Sequence, residues 1–270
     1  MSGVGNDFII FDARASSLQL TSAQIRKLCN RKNIGCDQLI LVKNSEKADC
    51  LMEIFNPDGS KSGACGNATR SVASLIMDEK NLHQIKIETA AGVLPCWRAG
   101  EGENLRSALG LPNAAENQDI SVAMAIPVFE NNFYFDDLNF ACVNVGNPHA
   151  VSFVEHIPAD EDFLKIGPAV ENHKFFPQKT NVEFACIAPN KHTIEVRVWE
   201  RGAGETLACG SGACAVAALA IKNNLVNSKK ITVRFKGGDL LIEWAGGQEP
   251  VIMTGGYEKI FAGEIDEKFL

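Results

Sequence analysis

M-E-I-F-N-P-D-G-S-K-S-G-A-C-G-N, Met52 to Asn67, decides the fold, because the chain writes it a second time. Laid without a gap over V-R-V-W-E-R-G-A-G-E-T-L-A-C-G-S, Val196 to Ser211, it sets strand over strand, glycine turn over glycine turn and Ala-Cys-Gly over Ala-Cys-Gly, 144 positions on. The strand reading rests on alternation, Met52, Ile54 and Asn56 against Glu53 and Phe55 in the first copy, and Ile194, Val196 and Val198 against Glu195 and Arg197 in the second. A helix is predicted after each Cys-Gly: Ala68 to Leu82 spaces Val72, Leu75, Ile76 and Met77 for one face, and Ala213 to Leu225 is Ala-rich with neither Pro nor internal Gly. Weaker echoes widen the duplication, Val4-Gly5-Asn6 recurring as Val145-Gly146-Asn147 and Gln38 falling opposite Asn181.

Two domains are expected from this repeat and from a length of 270 residues. The polar, turn-rich stretch Leu111 to Gln118 is the predicted boundary, giving an N-terminal half over 1–112 and a C-terminal half over 113–254. Many short strands are predicted (Phe8 to Asp12, Leu39 to Val42, Ile85 to Thr89, Ala141 to Val145, Ala150 to Val154, Ile231 to Phe235 and Leu240 to Trp244) with few long helices, which points to the α+β class rather than a doubly wound sheet.

Composition narrows the function. At 46% apolar and 22% charged residues the chain is ordinary globular protein, and a net charge of −7 without a Lys/Arg cluster offers nothing to a nucleic acid. The longest apolar run, Ala213 to Ile221, is nine residues, short of the roughly 20 needed to cross a bilayer, and no basic leader precedes an apolar stretch, so a cytoplasmic protein without membrane partners is expected. Nine cysteines, an odd number, fit a reducing compartment. No Cys-x-x-Cys or His-Glu-x-x-His occurs, so no metal is expected.

Chemistry is sought at the two cysteines. A helix N-terminus presents unpaired N–H groups and partial positive charge, which attract a carboxylate and favour a thiolate. If the halves are related by a pseudo-twofold axis, Cys65 and Cys209 reach a common cleft from opposite sides. Inverting a stereocentre requires that arrangement, one group removing a proton from one face while the other returns a proton to the opposite face. A thiol, with an ordinary pKa of about 8.5, changes protonation state readily enough for both roles. The N–H groups of Gly66, Asn67, Gly210 and Ser211 would stabilise the carbanion formed beside a carboxylate, and no cofactor is required. A single Cys-Gly ahead of a helix is more often a small residue at a tight turn. Two copies at matching positions favour function, while Cys214, already inside the helix, is read as packing. Asn6, Gln38, Asn56, Asn147, Asn181, Glu200 and Arg201 fall at repeat-equivalent positions or strand ends and supply amides, a carboxylate and a guanidinium for a further ammonium and carboxylate. His149 could relay protons.

These blocks together resemble diaminopimelate epimerase: Gly5-Asn6-Asp7-Phe8, Asp37-Gln38-Leu39, Phe55-Asn56-Pro57-Asp58-Gly59, Ala64-Cys65-Gly66-Asn67, Gly146-Asn147-Pro148-His149, Thr180-Asn181-Val182, Glu200 to Thr206 and Ala208 to Cys214. The resemblance implies a pyridoxal-independent isomerase that interconverts LL- and meso-2,6-diaminoheptanedioate (diaminopimelate) for lysine and peptidoglycan synthesis. Cys65 and Cys209 would be its acid and base, with His149 and Glu200 assisting. Gly66, Asn67, Gly210 and Ser211 would hold the reacting carboxylate, and Asn6, Gln38, Asn56, Asn147, Asn181, Glu200 and Arg201 the rest of the substrate. It implies two pseudo-symmetric α+β domains, each a mixed sheet wrapped around a central helix, with the active site in the interdomain cleft, a final strand over about 255–270 that rejoins the first domain, and a homodimer. The chain departs from the family in lacking a short leading strand, with Ser2 in place of a His, so an incomplete sheet edge is expected. Phe261 replaces a tyrosine often seen at the dimer contact. A proline-racemase-like isomerase of the same fold and, in other classes, a cysteine hydrolase using Cys209 and His149 or a phosphate-binding module remain as alternatives. The last lacks a Gly-Lys-Ser/Thr.

Overall fold

The structure is a computed structural model that describes residues 1–99 and 119–269. The boundary expected within Leu111 to Gln118 lies outside the described residues. Those described cluster in two compact units, one from residues 1–99, 119–122 and 255–269, the other from residues 123–254.

The first unit runs β1 (Ser2–Gly3), β2 (Asn6–Asp12), α1 (Ser22–Cys29), β3 (Gln38–Lys43), β4 (Cys50–Phe55), β5 (Lys61–Ser62), α2 (Gly66–Lys80), β6 (Gln84–Thr89), β7 (Gly92–Arg98) and β8 (Ile120–Ala123). β2 and β3 pair in parallel, β3 and β4 antiparallel, β4 and β6 in parallel, and β6, β7 and β8 antiparallel, with β5 a short flap on β4. The second unit continues with β9 (Val128–Phe129), β10 (Phe133–Phe135), β11 (Leu138–Asn144), β12 (Pro148–Phe153), α3 (Asp160–Glu171), β13 (Asn181–Ile187), β14 (Thr193–Glu200), β15 (Gly204–Glu205), α4 (Gly210–Lys222), β16 (Lys230–Phe235), β17 (Gly238–Glu243) and β18 (Ile252–Gly255). Its pairings repeat the same series: β12 with β13 parallel, β13 with β14 antiparallel, β15 on β14, β14 with β16 parallel, then β16, β17 and β18 antiparallel. Both units are α+β, built on a mixed sheet, and the duplication read in the sequence is one of topology as well as of residues.

In each unit the longest helix is the crossover between the parallel pair, β4 to β6 or β14 to β16, as a parallel connection demands. Burial of these helices is nearly complete. Ten residues of α4, Gly210, Gly212 to Ala218, Leu219 and Ala220, are buried, and the Ala-rich sequence lets the surrounding strands approach from every side. On α2 the buried set includes Asn67, Thr69, Arg70, Ser71 and Ser74. Its hydroxyls bond to carbonyls of their own helix, Thr69 Oγ1 to Cys65 O at 2.9 Å and Ser74 Oγ to Ser71 O at 2.8 Å, which satisfies them without water.

The helices begin two to three residues earlier than predicted, at Gly66 and Gly210, because each cysteine is itself the cap. Two helices go unannounced by apolar periodicity. α1 is opened by a capping box, Thr21 Oγ1 accepting from Gln24 N while Gln24 Oε1 accepts from Thr21 N. α3 carries Gly167-Pro168, which reads as a breaker. Gly167 is needed there, since a Cβ would stand 3.0 Å from Cγ of Trp199. Of the strand expected over about 255–270, the described residues form only its first position, Gly255, which ends β18; beyond it an isolated bridge joins Glu258 to Ser2, followed by a 3-10 turn at Glu267–Phe269. At the other end, Ser2–Gly3 pairs antiparallel with Asn6 and Asp7. No helix among the described residues is long and apolar enough to cross a membrane.

Candidate active site

Cys65 is the N-cap of α2 and Cys209 the N-cap of α4, both with extended backbone, φ −148° and −128°. Each sulfur accepts the N–H three residues on, Ala68 N at 3.5 Å and Gly212 N at 3.3 Å. The first two N–H groups of each helix, from Gly66 and Asn67 and from Gly210 and Ser211, have no carbonyl partner within the helix and point along its axis beside the thiol. The two units thus repeat a thiol with an anion cradle, built from the same local chemistry.

In the first unit the amides predicted to hold substrate form two pairs. Asn67 Nδ2 donates to Asn6 Oδ1 at 2.5 Å, and Gln38 Nε2 donates to Asn56 Oδ1 at 3.2 Å. Asn67 is 1% exposed, and its Oδ1 has no hydrogen-bond partner among the described residues. Register explains the second pair: Gln38 opens β3, Asn56 follows β4, and Leu39 faces Phe55 across the two strands.

In the second unit Glu200 and Ser211 lie beside Cys209, and His149 lies beside Glu200. His149 on β12 is buried, its Nδ1 2.6 Å from Glu183 Oε1 and its Nε2 2.9 Å from Asn147 Oδ1. Glu200, ending β14, accepts from Thr206 Oγ1 at 2.6 Å. Burial pushes the Glu200 carboxyl above its ordinary value, while Thr206 and nearby His149 pull it down. The Cys209 thiol is pushed well up, first by burial and then by the charges of Glu200 and Glu183, against the opposing hydrogen bonds of Ser211 and the Gly212 N–H. Asn181 donates from Nδ2 to Pro148 O at 2.9 Å and accepts at Oδ1 from Arg201 N at 3.0 Å, so it braces the start of β12 beside His149 and the turn that carries Arg201. Arg201 is exposed, and its guanidinium touches only Gln178 O, at 3.3 Å, among the bonds described.

Three residues that shape this site escaped sequence reasoning. Glu171, the last residue of α3, accepts from Trp199 Nε1 at 2.8 Å and from Gly202 N at 2.9 Å, pinning the Glu200-Arg201-Gly202 turn. Glu183 sits on β13 two residues after Asn181. Strand alternation places the two on one face, and a charged residue within Val-Glu-Phe-Ala-Cys was the available signal. Gly212 admits Glu183 beneath the thiol, as a Cβ there would lie 2.8 Å from Glu183 Oε1.

The architecture has close counterparts. A phenazine biosynthesis protein of the PhzF family from Bacillus anthracis superposes with a TM-score of 0.64 over 94% of this chain and 91% of its own, at 17% identity, a likeness of fold alone. Sequence is more specific. The diaminopimelate epimerase family model matches residues 1–114 and 141–260. Diaminopimelate epimerase of Rhodospirillum centenum is 42% identical over 274 residues, covering 100% of this chain and 92% of the relative, and that of Sphingopyxis alaskensis is 44% identical over 269 residues, covering 98% and 96%. The chain belongs to the diaminopimelate epimerase family.

Proposed function

We propose that the protein interconverts LL- and meso-2,6-diaminoheptanedioate without a cofactor, one thiol serving each face of the reacting α-carbon. The observation that carries this reading is the repeated helix cap: Cys65 and Cys209, at equivalent points of a duplicated unit, each beside unpaired N–H groups. One sulfur, as thiolate, removes the α-proton. Charge moves onto the adjacent carboxylate, where the N–H groups of Gly66, Asn67, Gly210 and Ser211 stabilise it, and the other sulfur, as thiol, delivers a proton to the opposite face. Asn6, Gln38, Asn56, Asn147 and Glu200 hold the unreactive end with Arg201, whose exposed guanidinium is available to the distal carboxylate. Asn181 joins them while bracing the Arg201 backbone.

Membership of the family favours this substrate over a proline-like ring. A hydrolase pairing Cys209 with His149 is disfavoured by the imidazole itself, since both ring nitrogens are engaged, by Glu183 and by Asn147. We also read the protein as cytoplasmic, none of its cysteines being in a disulfide, and as a homodimer, for which the exposed pair Ile260 and Phe261, at 59% and 71%, offers apolar surface. Light scattering checks the oligomer, a monomeric mass refuting it.

Incubation with the LL-isomer in heavy water should give meso product carrying deuterium at one α-carbon. Cys65→Ala and Cys209→Ala should each abolish inversion, a loss of at least 100-fold, with the fold intact by circular dichroism. Substantial turnover in both single variants would exclude the two-base assignment.

A further inference from the structure

We propose that Glu183 is a positioning residue for the reaction: its enclosed side chain anchors His149 through Nδ1 and reaches under the first turn of α4 behind the Cys209 cap, where it governs the proton on the thiol. Glu183 has this role only if Cys209 is one of the two acid/base groups, as read above.

Both side chains of the His149–Glu183 pair are 0% exposed, and their contact is 2.6 Å. One carboxylate oxygen serves the imidazole, while the other, Oε2, has no hydrogen-bond partner among the described residues. A carboxylate so enclosed and half-satisfied is costly, and an apolar side chain or a glutamine would serve packing at less expense. Its surroundings are arranged to admit it. At Gly212 a Cβ would stand 2.8 Å from Glu183 Oε1 and 3.4 Å from Cys209 Sγ, so glycine alone lets the carboxylate lie under the first turn of α4. The titratable groups around the thiol are Glu183 from β13, Glu200 from β14 and, beside Glu200, His149 from β12. Cys142 on β11 is near Glu183. From its own helix Cys209 meets Ser211 Oγ at 3.5 Å and the Gly212 N–H. Glu183 bridges the imidazole on one side and the thiol on the other.

The test is Glu183→Gln in the full chain, read by steady-state kinetics and by the ultraviolet absorbance of the thiolate, taken as the difference between a protein and its Cys209→Ala counterpart across pH. Losing the charge should lower the Cys209 ionisation midpoint by about one pH unit or more, with kcat down roughly 100-fold and KM nearly unchanged. Glu183→Asp should recover part of both. A purely structural role would lower the melting temperature while leaving the midpoint in place, and that result overturns the proposal. Should the glutamine variant fail to fold, Glu183→Asp decides by the same two readings: a midpoint and kcat both displaced from those of the unsubstituted protein support the role, and an unchanged midpoint refutes it. The thiol titration does not depend on turnover, so a failure of the epimerase reading shows separately as absent label exchange.

Discussion

Cysteine is an uncommon helix cap, and at Cys65 and Cys209 it does the work usually given to serine, accepting an N–H three residues on. This separates stability from chemistry. Cys65→Ser and Cys209→Ser keep a cap acceptor at each site, so their melts should equal or exceed those of the alanine variants, by up to about 1 kcal/mol each. Turnover should still collapse, because a hydroxyl does not ionise near neutral pH as a thiol does. Serine variants that kept turnover would sever the sulfurs from the reaction. The residues legible in the sequence are those whose type was informative alone, two cysteines in matching Ala-Cys-Gly turns and a set of amides. Glu183 and Glu171 were not legible, because a single carboxylate in a strand or at a helix end is usually a solvated surface residue. Only the fold shows them facing inward.

Among the elements, α3 holds the Glu200-Arg201 turn in place through Glu171 and is itself held by an aromatic layer. Phe163 is fully buried, edge-on to Phe184 and Trp199 at ring separations of 5.8 and 6.0 Å, with the Arg197 guanidinium 3.9 Å above its ring. Phe163→Ala should cost about 3–5 kcal/mol by chemical denaturation and reduce affinity for substrate through the loosened turn. A cost under about 1 kcal/mol would show that α3 packs elsewhere. The predicted strands agree with those observed to within a residue or three at their ends, since a buried strand advertises itself by apolar alternation. α3 did not, because its Gly167-Pro168 serves packing against Trp199 at the expense of helix propensity.

Across the whole molecule, stability should respond to acid through paired carboxylates. Arg14 draws Asp12 below its ordinary value, and Arg197 does the same for Glu205. At Asp7 and Glu53 burial pushes upward, but the pairs with Arg31 and with Lys43 and Lys61 outweigh it and both are lowered. A carboxyl lowered in the folded state binds protons more readily when unfolded, so its contribution is complete above the unfolded value of about 4 and is lost as pH falls through the folded one. Glu200, raised by burial, runs the opposite way, favouring the fold at low pH. With six carboxyls lowered among the described residues, Asp58 and Glu88 by serine hydroxyls besides these four, against one raised, melting temperature should decline below about pH 4, and added salt should lessen the effect because the ion pairs are partly exposed. A melting temperature unchanged between about pH 5 and 3 would deny these pairs a role in stability.

By itself the sequence determined the duplication, the α+β class, the two thiols and the family. Each of these is carried by local pattern, strand alternation or a short turn, and local pattern repeats wherever the backbone does. Only the tertiary structure decided which polar groups meet: that Asn181 spends its amide on Pro148 and Arg201, that Glu171 ties down the turn after β14, and that Glu183 lies between His149 and Cys209. Those contacts join residues 20 or more positions apart, and for a buried carboxylate the partner that makes burial tolerable is set by strand register and helix placement rather than by its own neighbours in the chain.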